Sequence, residues 1–145
     1  MDPDNPIVKL CAQGMEAESA GDLTGAKAYF KQAWDEASDD WERCVAAHYI
    51  ARHQNTPEAT LHWNEECLTY AKAVGDETVT GFYPSLYLNI GHSHEMLGHR
   101  EQAIEGYRNA EKFLRTLPPG PYADMVKDGV ARGIDRMGCR PQDAE

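Results

Sequence analysis

The sequence predicts an all-α fold, and three observations lead to it. Helix-starting and helix-stopping residues punctuate the chain from Asn5 to Gly138. Apolar residues between them recur three and four apart, the spacing of one helical face. No stretch alternates apolar and polar residues for long enough to suggest a sheet.

The elements follow in order. Asn5 is placed to cap a helix whose first residue is Pro6, and that helix should end near Gly21. Asp22 starts a second, with Leu23, Ala26, Tyr29, Phe30, Ala33 and Trp34 at helical spacing. The Ser38-Asp39-Asp40 cluster separates it from a third, from Trp41 to about His53. Thr56-Pro57-Glu58 combines a hydroxyl cap, a first-turn proline and an early acid, and starts a fourth that runs to Gly75-Asp76. A fifth ends at Gly98, and its start has two readings. Asp76 caps it early and Pro84 kinks it, or Pro84 marks the start. A sixth runs from Arg100 to about Thr116, and Pro118-Pro119-Gly120-Pro121 breaks the chain. The last, 121–137, carries Tyr122, Val126, Val130 and Ile134 every four residues and stops at Gly138, leaving 140–145 as a tail.

The 145 residues suit one domain, which at this size buries roughly 70% of its unfolded surface. Net charge is −10, from 24 acidic and 14 basic residues. That argues against a nucleic-acid backbone or an anionic membrane as partner, since both are held by clustered Lys and Arg. No apolar stretch approaches the roughly 20 residues that span a bilayer. The start, Met1-Asp2-Pro3-Asp4-Asn5-Pro6, lacks the positive segment and apolar run of a signal peptide. Cys11, Cys44, Cys67 and Cys139 form no CxxC pair, and reduced thiols in the cytoplasm are expected.

Two stretches superimpose without gaps: GMEAESAGDLTGAKAYFKQA and GHSHEMLGHREQAIEGYRNA. Gly14, Ala26, Phe30 and Ala33 share their offsets with Gly91, Ala103, Tyr107 and Ala110. A small residue lets two helices approach, and an Ala-aromatic-Ala stripe packs into the contact. A middle copy keeps Ala47, Ala59 and Trp63, but Glu66 takes the final alanine position and Arg43 an apolar one. The step from Ala47 to Gly91 also exceeds the regular period, so residues near 74–83 are extra.

This pattern resembles the tetratricopeptide repeat (TPR) family. The resemblance implies a right-handed superhelix of three helix pairs, about 7–39, 40–73 and 84–117, in a single domain over 1–139. A capping helix over about 121–137 would cover the exposed end. It implies a protein- or peptide-binding adaptor that works through a concave groove and needs no cofactor. By the family's offsets, groove positions fall on Met15 in the first helix, Trp41, Cys44, His48 and Arg52 in the third, and Asn89, His92 and Met96 in the fifth. Trp and Arg are common interface anchors and Met an adaptable one. The same stripe read without the family is ordinary surface, or surface covered by the last helix. Self-association into a homodimer through exposed Trp, Tyr and Met is the alternative, and a metal- or small-molecule-binding role a further one.

The stretch NIGHSHEMLGHREQA looks reactive, but its spacing departs from the patterns of two chemistries. A zincin helix needs HExxH, whereas His94-Glu95 is followed by His99 five residues on, past Gly98. A hydrolase elbow needs GxSxG on a strand-to-helix turn, and here Glu95 takes the last position on a helix. His94 reads as an interior residue, His99 as a turn residue, and His92 as the groove candidate. Cys11, Cys44, His48 and His92 would make a soft metal set only across helices about 8–10 Å apart, which strains one tetrahedral site. No catalytic set emerges, and no enzyme activity is expected.

Overall fold

A computed structural model describes residues 2–138, and the chain divides after Gly75 into two compact units. The expected tail over 140–145, and Cys139, lie outside the described residues. Those described form seven α-helices and three single turns of 3-10 helix, with no strand among them.

The first unit holds α1 (Pro6–Ser19), α2 (Leu23–Glu36), α3 (Asp40–Ile50) and α4 (Pro57–Val74). Each starts at a residue that supplies a side-chain oxygen to orphan backbone N–H groups. Asn5 accepts from Ile7 and Val8, Asp22 from Gly25, Asp39 from Glu42 and Thr56 from Ala59. The third helix tightens at its end, so that Ala51–His53 is a 3-10 turn rather than more α-helix. Gln54 donates its side-chain amide back to the Ile50 carbonyl at 3.0 Å and closes that end. Helix α1 packs on α2 and α3 on α4, and α3 also packs on both α1 and α2.

One polar connection inside this unit has no sequence signature. The Asn5 amide nitrogen donates to Glu42 at 2.9 Å while its oxygen caps α1. Glu42 also accepts from the Ser38 backbone and hydroxyl, both at 2.9 Å. The Ser38 backbone bond leads in holding its carboxyl below the ordinary value against the opposing effect of burial. Glu42 thus ties the starts of α1 and α3 together.

The second unit holds α5 (Tyr83–Met96), α6 (Arg100–Phe113) and α7 (Pro121–Arg136). Of the two starts open for α5, the later one is found. Asp76 folds into a local turn, accepting from the Thr78 backbone at 2.9 Å and its hydroxyl at 2.5 Å. Thr80–Phe82 form a 3-10 turn, and Pro84 sits in the first turn of α5, where its missing N–H costs nothing. Helix α6 ends in a 3-10 turn at Leu114–Thr116, and α7 packs on both α5 and α6.

The paired glycines are places where helices touch closely. A Cβ on Gly14 would lie 2.3 Å from the Phe30 ring, and one on Gly91 3.1 Å from Tyr107. Gly106 meets backbone instead, with its Cβ position 2.6 Å from the Gly91 Cα. The Ala-aromatic-Ala stripe is fully buried in α2 and α6. In α4 it is not: Ala59, Trp63 and Glu66 are half-buried, and the buried line is Asn64, Cys67 and Ala71. Cys67 stands 3.7 Å from Cys44, sulfur to sulfur, in the α3–α4 contact. Arg43, at the other irregular position, lies over the Tyr70 ring, 5.9 Å from its centroid.

Candidate functional site

Helix α2 presents Lys27, Phe30, Lys31 and Trp34 three and four residues apart, hence on one face. Opposite them stand Ile50, His53 and Gln54 from the end of α3 and Trp63 from α4. Together with Asp35 these residues line a cleft of about 450 Å³ in the first unit. Trp63 reaches the cleft from the face of α4 on which Ala59, Trp63 and Glu66 are half-buried.

The walls are aromatic. Trp34 meets Trp63 edge to face, ring centroids 5.0 Å apart at 86°, and Tyr70 at 5.9 Å. Phe30 forms a stacked column with Tyr49 at 5.3 Å and His53 at 5.9 Å. His53 is held from outside the cleft by the Glu18 carboxylate near the end of α1, to which its Nε2 is hydrogen-bonded. Glu18 also pairs with Arg52 at 3.1 Å, so one carboxylate fixes two neighbouring side chains of the 3-10 turn. The rim carries exposed Lys27 and Lys31, and Lys31 pairs with Asp35 at 2.8 Å. The polar groups of the lining are the Lys27 and Lys31 amines, the Asp35 carboxylate, the His53 ring and the Gln54 amide.

None of the eight groove candidates lines this cleft. In the first unit Met15 is exposed, while Cys44 has no exposed surface and offers nothing to a ligand. Trp41 is half-buried, with its Nε1 sealed from solvent. His48 packs edge-on against Tyr49 at 5.1 Å, and burial, followed by the charge of Arg52, pushes its pKa down to about 4. Arg52 is spent on Glu18 and on the Tyr49 ring, 5.7 Å from its centroid. In the second unit Asn89, His92 and Met96 are exposed along α5. The soft metal set has the same difficulty at atomic detail, since Cys11 and Cys44 are buried and among the described residues no three His, Cys, Asp or Glu side chains gather as metal ligands.

By spacing alone Trp34 and Trp63 belong with the packing residues of α2 and α4. The available signal was two lysines sharing a helix face with Phe30 and Trp34, beside the copy whose stripe fails. His94 and His99 also stand closer than helix spacing implies, with Nδ1 atoms 3.1 Å apart. No described helix is long and apolar enough to cross a membrane. No family model, no curated protein and no solved structure matches this chain.

Proposed function

We propose that the chain is a protein- or peptide-binding module of tetratricopeptide type, an adaptor without catalytic activity that acts in the cytoplasm. The observation that carries the reading is the aromatic cleft between α2, the end of α3 and α4. Its volume falls within the roughly 300–1,000 Å³ of ligand sites, and two tryptophans in its wall are the residue type that dominates binding energies. The bound element is an apolar peptide side chain, with a flanking carboxylate met by Lys27. The chain's net charge of −10 opposes an acidic peptide at long range. Screening over about 8 Å leaves the local lysines to decide the contact. The cytoplasmic location is supported by free thiols at Cys11, Cys44 and Cys67.

The test is calorimetry with a peptide selected from a displayed library. Trp63→Ala and Lys27→Glu should each weaken binding, the tryptophan change by roughly 30-fold or more, as loss of a ~2 kcal/mol hot spot requires. Replacing the anchor by alanine should do the same from the peptide side. Binding lost in a combined His48, Arg52 and His92 variant but kept in both cleft variants would move the site to the sequence-derived strip. Binding equal in all variants would reject both.

Self-association is the second reading, favoured by Tyr122 and Met125, 50% and 63% exposed on α7. Sedimentation across a concentration range separates it from a monomeric adaptor.

A further inference from the structure

The turn between α5 and α6 closes in a definite way. Gly98 adopts φ +79°, its N–H donates to the Glu95 carbonyl at 3.1 Å, and the His99 N–H reaches back to the His94 carbonyl at 2.8 Å. This is the double hydrogen bond of a left-handed helix stop, in which the residue after the glycine comes to rest on the residue five before it. An apolar pair usually occupies those two places. Here both are histidines, and the backbone itself brings their rings together.

The corresponding turn after α1 has the same pair of backbone bonds, from Gly21 to Glu18 and from Asp22 to Ala17. Ala17 and Asp22 stand where His94 and His99 stand, so the motif does not require imidazoles. Their presence calls for a chemical reason.

We propose that His94 and His99 form a two-imidazole site for a divalent transition-metal ion, taking Cu²⁺ in preference to Ni²⁺ or Zn²⁺. The two Nδ1 atoms are 3.1 Å apart and the ring planes lie at 44°. With metal–nitrogen bonds of about 2.05 Å, that separation subtends about 98° at the ion. The angle lies between the 90° of tetragonal and the 109° of tetrahedral geometry, so the separation of the two nitrogens already suits one ion. Imidazole suits Cu, Ni and Zn, and for a fixed donor set affinity peaks at Cu²⁺.

Without metal, one Nδ1–H donates to the other Nδ1 lone pair and keeps the rings together; to bind an ion both rings must turn so that their Nδ1 lone pairs leave the N–N line and converge. Metal entry transfers that proton through solvent to the Nε2 of its own ring, and no net proton is released. Remaining coordination places fall to water, because no third His, Cys, Asp or Glu joins the pair among the described residues. Neighbouring Glu95 is already engaged by Arg136 and Tyr107. The carbonyl end of α5 favours a cation and the amide end of α6 opposes one, so donor geometry rather than the helix dipoles sets the affinity. His99 is exposed and His94 half-buried, which gives the ion a way in.

The experiment is a titration of the full chain with Cu²⁺ alone, followed by calorimetry and electron paramagnetic resonance. One ion should bind with the hyperfine pattern of two equatorial nitrogens and should raise the thermal unfolding midpoint. His99→Asn, at an exposed turn position, and His94→Gln should each lower affinity by at least about 10-fold, since even changes beyond the ligands cost ~10–100-fold. His62→Ala and His92→Ala should leave it unchanged. Far-ultraviolet circular dichroism checks that both turn variants fold. Undiminished affinity in folded His99→Asn, or a spectrum with a single nitrogen, would overturn the site.

Discussion

The Tyr107 ring fills the space left by glycines on two sides, since a Cβ on Gly91 would lie 3.1 Å from it and one on Gly133 2.5 Å. Its hydroxyl donates to Glu95 at 2.5 Å, and Arg136 holds the same carboxylate through contacts of 2.8 and 3.2 Å. Burial, reinforced by the carboxylate, pushes the phenol up to about 12, while Arg136 draws Glu95 below its ordinary value. Tyr107→Phe keeps the packing and removes two bonds to charged groups, the one donated to Glu95 and a longer one accepted from Arg136 at 3.3 Å. A loss of about 1.5 kcal/mol is expected in urea unfolding, the low end for such bonds because Arg136 still serves Glu95. A loss near zero would mean that water replaces the hydroxyl. The aromatic at this position was legible from spacing, but its hydroxyl partner was not. Glu95 and Arg136 lie 41 residues apart, and only the packing of α7 makes them neighbours.

At the scale of elements, the caps and glycine stops were readable because each acts within a few residues of itself. Gly14 with Phe30 and Gly91 with Tyr107 were readable too, as a small residue facing an aromatic at a fixed offset. The middle pair shows the limit. Glu66 signalled that the stripe fails there, but local sequence does not say which face replaces it. That choice rests on Cys67 meeting Cys44 of α3 and on Trp63 meeting Trp34, contacts between helices. The close approach of α5 and α6 supports a direct prediction. Gly106→Ala gains roughly 1 kcal/mol of helix preference but places a methyl 2.6 Å from the Gly91 backbone. Backbone cannot step aside as a flexible side chain does, so a net loss of about 1–3 kcal/mol is expected. Gly81→Ala, with nothing within 4 Å of the new methyl, is the matched control and should be near neutral.

For the molecule as a whole, acid should be destabilising in two stages. His48 ionises near pH 4 in the fold but near 6.5 in an unfolded chain. Between those values the unfolded chain binds the proton and the native one does not, so stability falls as pH drops from about 6.5 to about 4. Glu42 and Glu95 are lowered in the fold, so their contributions are present above the unfolded value of about 4.3 and vanish as pH falls through their folded values. Urea midpoints should therefore decline from neutral pH downward, with a flatter upper stage in His48→Gln. An unchanged slope in that variant would remove His48 as the cause. By offset the sequence marks the histidine only as a candidate groove position. Its place against Tyr49, where charge is costly, was not legible, because desolvation depends on what the rest of the first unit covers.

The edge-to-face tryptophans of the cleft have a consequence for spectroscopy. Two indoles 5.0 Å apart and nearly perpendicular couple their electronic transitions, and the coupled pair contributes its own signed bands on top of the helical signal. Ellipticity from the first unit is then a sum of backbone and chromophore terms. A variant that loses Trp34 or Trp63 will change its circular dichroism without unwinding a single turn. Trp41, the remaining tryptophan of the three in the chain, provides the unpaired reference against which that couplet can be read.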